Sequence, residues 1–188
     1  AFGGWCAAVA GASGKMAGDL ILMGRSESGE AAAGAGGGSS TMPQKANPVA
    51  AETTVALARY AAPLAAALHL ATLHAEERDG AAWALEWLAL PQLALCAGAA
   101  LRHGLALAGS LAPRPDRMRA ILNADGGAAM AEAATFRLAA LAPRPEAERI
   151  VREALEAARS EGLRLQDVLA RAFPGIDWAE ALDPAARF

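Results

Sequence analysis

Residues 47–74 read NPVAAETTVALARYAAPLAAALHLATLH. Apolar residues recur here at helical spacing, and Ala and Leu, both strong helix formers, supply most of them. Asn47 is a good N-cap residue, and Pro48 suits the first helical position because its missing N–H is not needed there. Glu52 falls early in the helix, where the dipole favours an anion. The pattern predicts a helix from Pro48 to about His74, bent at Pro63.

Downstream, a polar break at 76–80 precedes a second long apolar stretch over about 82–111, with a proline at 91. Trp83 and Trp87 are one turn apart and are expected to share a packed face. Two long apolar helices joined by a short break predict an antiparallel pair in a bundle. The Pro-rich Ala112-Pro113-Arg114-Pro115 marks a boundary. Shorter helices are expected after it, over about 115–122, 128–141, 145–160, 165–173 and 178–182, with Gly162 as a C-terminal stop. The predicted class is all-α. A helical bundle occupies 1–111 and a small helical C-terminal domain 112–188.

Upstream, Trp5, Val9, Met16, Leu20 and Met23 recur at roughly helical spacing, with Ala and Gly between them that allow close helix approach. No Met and no capping signal opens the chain. It reads as part of a larger protein, with the beginning of this helix missing. From Ser26 to Asn47 the helical stripe stops, and a long loop is expected.

Composition narrows the function. The formal charge is −3 and there is no basic run, so nucleic-acid binding has little support. Cys6 and Cys96 lie in apolar surroundings without ligand spacing and read as buried thiols, not a disulfide framework or a metal site. That fits a reducing, cytoplasmic compartment. No signal peptide is visible. The uncharged runs 60–75 and 87–101 fall short of the roughly 18–20 residues a bilayer span needs, so buried bundle helices are expected.

The chemistry concentrates in Gly36-Gly37-Gly38-Ser39-Ser40-Thr41-Met42-Pro43-Gln44-Lys45-Ala46-Asn47-Pro48. Glycines let a backbone approach a ligand closely. Ser39 and Ser40 bring hydroxyls, Lys45 a cation and Asn47 an amide. The segment ends at a helix N-terminus, whose N–H groups favour negative charge. Gly-Gly-Gly-Ser-Ser alone would read as a linker. The combination reads as an anion site beside a hydroxyl.

Gly38–Pro48 resembles the G-S-S-x-M-P-x-K-x-N-P signature of the fumarase/aspartase superfamily, with every specified position present. Three further stretches resemble its 3-carboxy-cis,cis-muconate cycloisomerase branch. They are Glu77-Arg78 with Trp83…Glu86-Trp87 and Leu90-Pro91; Met118-Arg119 with Asn123, Gly126-Gly127 and Ala131-Glu132-Ala133; and Leu182-Asp183-Pro184. The branch usually has His or a similar residue where Gln44 stands, Arg at Ala46 and His at Glu76.

The resemblance implies the later part of a longer all-α chain whose N-terminal domain is absent here. It implies a reaction at carbon next to a carboxylate, with Ser39 moving the proton. Lys45 and Asn47 would bind substrate carboxylates, and Ser40, Thr41 and Met42 would line the site. It also implies a small di- or tricarboxylate substrate, no metal or organic cofactor, no membrane or nucleic-acid partner, and a cytoplasmic homotetramer with active sites shared among subunits. Arg78 and Glu86 are read as a possible ion-pair network at the bundle end. His69, His74 and His103 are read as helix-face histidines.

Overall fold

The computed structural model describes residues 1–33, 37–38 and 46–187. It forms two compact units, Ala1–Pro115 and Asp116–Phe188. The first is built on three long helices: α1 (Phe2–Met23), α2 (Val49–Leu70) and α3 (Gly80–Gly109). Two short antiparallel pairs accompany them. The strand β1 (Ala31–Ala32) pairs with β4 (Ala112–Pro113), and β2 (Gly37–Gly38) pairs with β3 (Ala46–Asn47).

Small residues set how closely these helices pack. Gly14 is buried on α1, and a Cβ added there would collide with the Cβ of Ala58 on α2. A Cβ at Gly3 would collide with Leu68 Cδ1. Cys6, Ala10, Ala61, Leu93, Cys96, Ala97 and Ala100 form one core cluster from all three helices. Ala17, Ala51 and Leu107 form a second, nearer the end of α1 and the start of α2. Both cysteines are free and buried.

The turn between α2 and α3 is held by one carboxylate. Asp79 Oδ1 accepts hydrogen bonds from the N–H groups of Ala81 (2.9 Å) and Ala82 (3.2 Å), and Oδ2 from Ala75 (3.0 Å). These backbone donors, that of Ala75 above all, hold the Asp79 carboxyl below its usual range. The preceding Arg78 has left-handed backbone, φ 60°, unusual outside glycine.

Several sequence expectations change. Pro48, not Asn47, occupies the cap position of α2, and no side chain caps it; pairing Asn47 with Gly37 commits that residue to a strand. Trp83 and Trp87 meet edge to face, with ring centroids 6.3 Å apart. They remain 54% and 69% exposed rather than packed in a core, because neither inner face of the three-helix packing includes them. No ion pair joins Arg78 and Glu86 among the described residues. Both α1 and α3 are long and apolar enough to cross a membrane by length and composition, which a count of strictly uncharged runs missed. Their outward faces are not buried in this chain: Leu88, Leu95 and Leu105 of α3 are all exposed.

The second unit packs α5 (Ala131–Ala139), α6 (Arg144–Glu161), α7 (Leu165–Ala172) and α8 (Trp178–Ala181) around Leu138, Val151, Leu165, Leu169 and Trp178. It also holds most of α4 (Pro115–Asn123), none of whose residues is buried. The expected helix over 128–141 divides into a 3-10 turn, Ala128–Met130, and α5. Gly162 ends α6 with φ 67°, a conformation in which any Cβ is strained.

Two outcomes follow. Gly14→Val should overpack the α1–α2 contact and cost about 1–3 kcal/mol by denaturant unfolding, whereas Gly11→Val, at an open position, should cost less. Asp79→Ala should lower the melting temperature at pH 7. The folded pKa of Asp79 is depressed, so its contribution is present above the unfolded pKa of about 3.9 and is lost as pH falls through the folded value. The gap between wild type and variant should therefore close on acidification below about pH 4; a gap independent of pH would contradict this role.

Candidate functional site

The Gly-Ser segment is closed at its base. Gly37 lies opposite Asn47 and Gly38 opposite Ala46 in an antiparallel pair. Residue 48 then leads directly into α2, where the Glu52 N–H donates to the Pro48 carbonyl at 2.9 Å. The pairing therefore returns the segment at the N-terminus of a 22-residue helix. No side chain caps this helix, and the first N–H groups of a helix have no partner within it. Dipole and free donors together favour an anion there.

A second anchor holds the approach to this segment. Ala31 pairs with Pro113 and Ala32 with Ala112, and the Arg114 N–H donates to the Glu30 carbonyl at 2.8 Å. Ala33 packs on the cluster of Ala17, Ala51 and Leu107. The end of α1, the start of α2 and the residues just after α3 thus meet at the end of the bundle where the Gly-Ser segment begins and ends.

Of the expected site residues, Asn47 alone lies among the described residues. It is half-buried on β3. Ser39, Ser40, Thr41, Met42 and Lys45 lie outside the described residues. Glu77, Arg78 and Glu86 are placed at the other end of the bundle. The 22 residues of α2 separate them from the segment's base, about 33 Å at 1.5 Å per residue. They do not share one site with Asn47 of the same chain. His69 and His74 are exposed, and His103 is half-buried. Among the described residues no group of three His, Cys, Asp or Glu side chains is placed to hold a metal ion.

One feature escaped the sequence reading. A groove of about 610 Å³ runs along α2, lined by Ile21, Glu52, Val55, Ala56, Arg59, Tyr60 and Pro63. Tyr60 Oη donates to Gln92 Oε1 at 2.6 Å, tying the groove's wall to α3. The signal available in sequence was the seven-residue interval between Glu52 and Arg59, the two charged residues of the segment 48–68.

Comparison with known proteins supplies the context. The family described as Lyase matches residues 1–61. A 3-carboxy-cis,cis-muconate cycloisomerase of Bradyrhizobium diazoefficiens is 41% identical over 87% of this chain and 37% of its own length. A nitrosuccinate lyase of Streptomyces davaonensis is 35% identical over 97% of this chain and 40% of its own. The crystal structure of the 3-carboxy-cis,cis-muconate lactonizing enzyme from Pseudomonas putida superposes with a TM-score of 0.80 and 30% identity, over 98% of this chain and 43% of that one. The chain spans about two fifths of the length of these relatives.

Proposed function

We propose, from the all-α fumarase/aspartase-superfamily fold that this chain carries, that it supplies the serine segment of an enzyme cyclising 3-carboxy-cis,cis-muconate to a carboxymuconolactone. The observation that carries this reading is the complete spacing across Gly38–Pro48, set on a paired base that opens onto the free N-terminus of α2. The relatives named as cycloisomerases agree with it.

The reaction adds a carboxylate oxygen of the substrate across a carbon–carbon double bond of the same molecule. A C–O bond forms, and the π pair moves to the carbon next to another carboxylate. That carbon takes a proton, so lactone formation consumes one proton overall. Tethering removes the cost of bringing the reactants together. The difficult species is the dianionic carboxylate formed before protonation, and fixed positive charge stabilises it. In this proposal Ser39 delivers the proton, and its alkoxide is stabilised by backbone N–H groups at the helix start before water restores it. Lys45 and Asn47 bind substrate carboxylates, Lys45 as a point charge. Ser40, Thr41 and Met42 line the site, and the segment closes over substrate to exclude water.

The placement of Arg78 and Glu86 far from Asn47 supports a shared site. We propose a cytoplasmic homotetramer in which the far turn of one chain serves the site of another. The 35% identity to a nitrosuccinate lyase favours one second reading, a β-elimination that uses the same serine to remove rather than deliver a proton.

Ser39→Ala in the whole protein should lower kcat on 3-carboxy-cis,cis-muconate about 10²–10⁴-fold. Lys45→Ala should raise KM. Nitrosuccinate, argininosuccinate and adenylosuccinate assayed beside it separate the readings. Turnover of one of these alone replaces the substrate and keeps the serine chemistry, while unchanged turnover in Ser39→Ala removes Ser39 from the mechanism.

A further inference from the structure

The outward face of α2 carries a regular seam. Val49, Ala56 and Pro63 recur every seven residues, and all three are exposed. Seven residues fall about 20° short of two full helical turns, so this is one nearly straight line along the helix. Glu52 and Arg59 stand beside it at the same seven-residue interval, about 10.5 Å apart along the axis. Both are exposed, and neither makes an ion pair among the described residues. Both also line the groove bounded by Ile21 and Pro63. An apolar line flanked by one acid and one base, each without a partner, is an unfinished helix contact.

The order of signs selects what completes it. A second α2 running parallel and in register would set Glu52 against Glu52 and Arg59 against Arg59. An antiparallel second copy, with Ala56 on the two-fold axis, reverses the order. Val49 then lies opposite Pro63 of the second copy, and Glu52 comes within one residue of facing Arg59 of the second copy. The same pair forms twice, as a two-fold interface requires. Ala56 at the centre has the small side chain that close helix approach needs.

We propose that this face of α2 binds a second copy of the chain by antiparallel α2–α2 packing, with its register fixed by two reciprocal Glu52–Arg59 pairs. The proposal rests on the assembly part of the functional reading and is independent of its chemistry. Like charges brought together at an interface are costly, and opposite charges set register and partner choice.

The test is charge reversal in the whole protein, read by sedimentation over a dilution series without substrate, with helicity checked by circular dichroism. Glu52→Arg and Arg59→Glu should each raise the dissociation constant roughly tenfold or more. The two reversals combined should restore it toward the wild-type value. Ala56→Cys gives a second readout that does not depend on charge, namely an interchain disulfide at position 56 under mild oxidation. Cys6 and Cys96 are buried and should not contribute. Unchanged dissociation in both folded single variants, or a combined variant no tighter than either one, would overturn the proposal. So would a folded, associated Ala56→Cys protein that fails to cross-link; another segment of the whole protein then covers this face. A protein that assembles as described yet turns over none of the substrates leaves this interface standing and removes only the proposed activity.

Discussion

Close contact between α1 and α2 is the constraint on which the first unit depends. Where Gly14 meets Ala58 there is no room for one more carbon. Such a contact tolerates little sliding of one helix along the other, because an Ala or Leu brought into the crossing would collide. Register between α1 and α2 fixes where α1 ends and α2 begins. Those two ends carry the base of the Gly-Ser segment. A packing decision made near the middle of the bundle therefore sets the geometry of the candidate site, with Ala17, Ala51 and Leu107 transmitting it through a buried cluster.

The arrangement also divides labour along the chain. One end of the bundle holds the segment whose residues suit carboxylate chemistry. The other holds a tight turn with a left-handed Arg78 and the triply bonded Asp79. A helix as straight and long as α2 keeps these ends apart, so the two polar regions of one chain cannot converge. This gives physical content to the proposal that sites are completed between chains. It also accounts for the amount of apolar side chain left facing outward on α3.

Much of the fold was legible because helical periodicity and propensity agree over long stretches. The helices α2 and α3 could be placed to within a few residues from Ala and Leu spacing, and the left-handed stop at Gly162 from its residue type. Burial of both cysteines followed from their apolar neighbours. What could not be read depended on tertiary partners. Nothing local to Asn47 reveals that Gly37 will pair with it and draw it out of the cap. Pairs as short as β1–β4 leave no alternating pattern. Trp83 and Trp87 show spacing for a packed face, but spacing does not say whether the same chain supplies the other side. For the site, residue types and spacing in Gly38–Pro48 suggested the chemistry, and the structure adds the paired base and the uncapped helix. Ser39 and Lys45 remain proposals from the sequence.

The pairing of β1 with β4 has a kinetic consequence. It joins Ala31 to Pro113, closing a loop of roughly eighty residues with very few hydrogen bonds. Closing a long loop costs entropy that grows only slowly with length, but such a short ladder returns little until the intervening helices have shortened the gap. The three helices should therefore dock first, and this small ladder should zip last. It should likewise be among the first places to open in native-state hydrogen exchange. The strand leading to the candidate site would then be the least protected part of an otherwise slowly exchanging bundle.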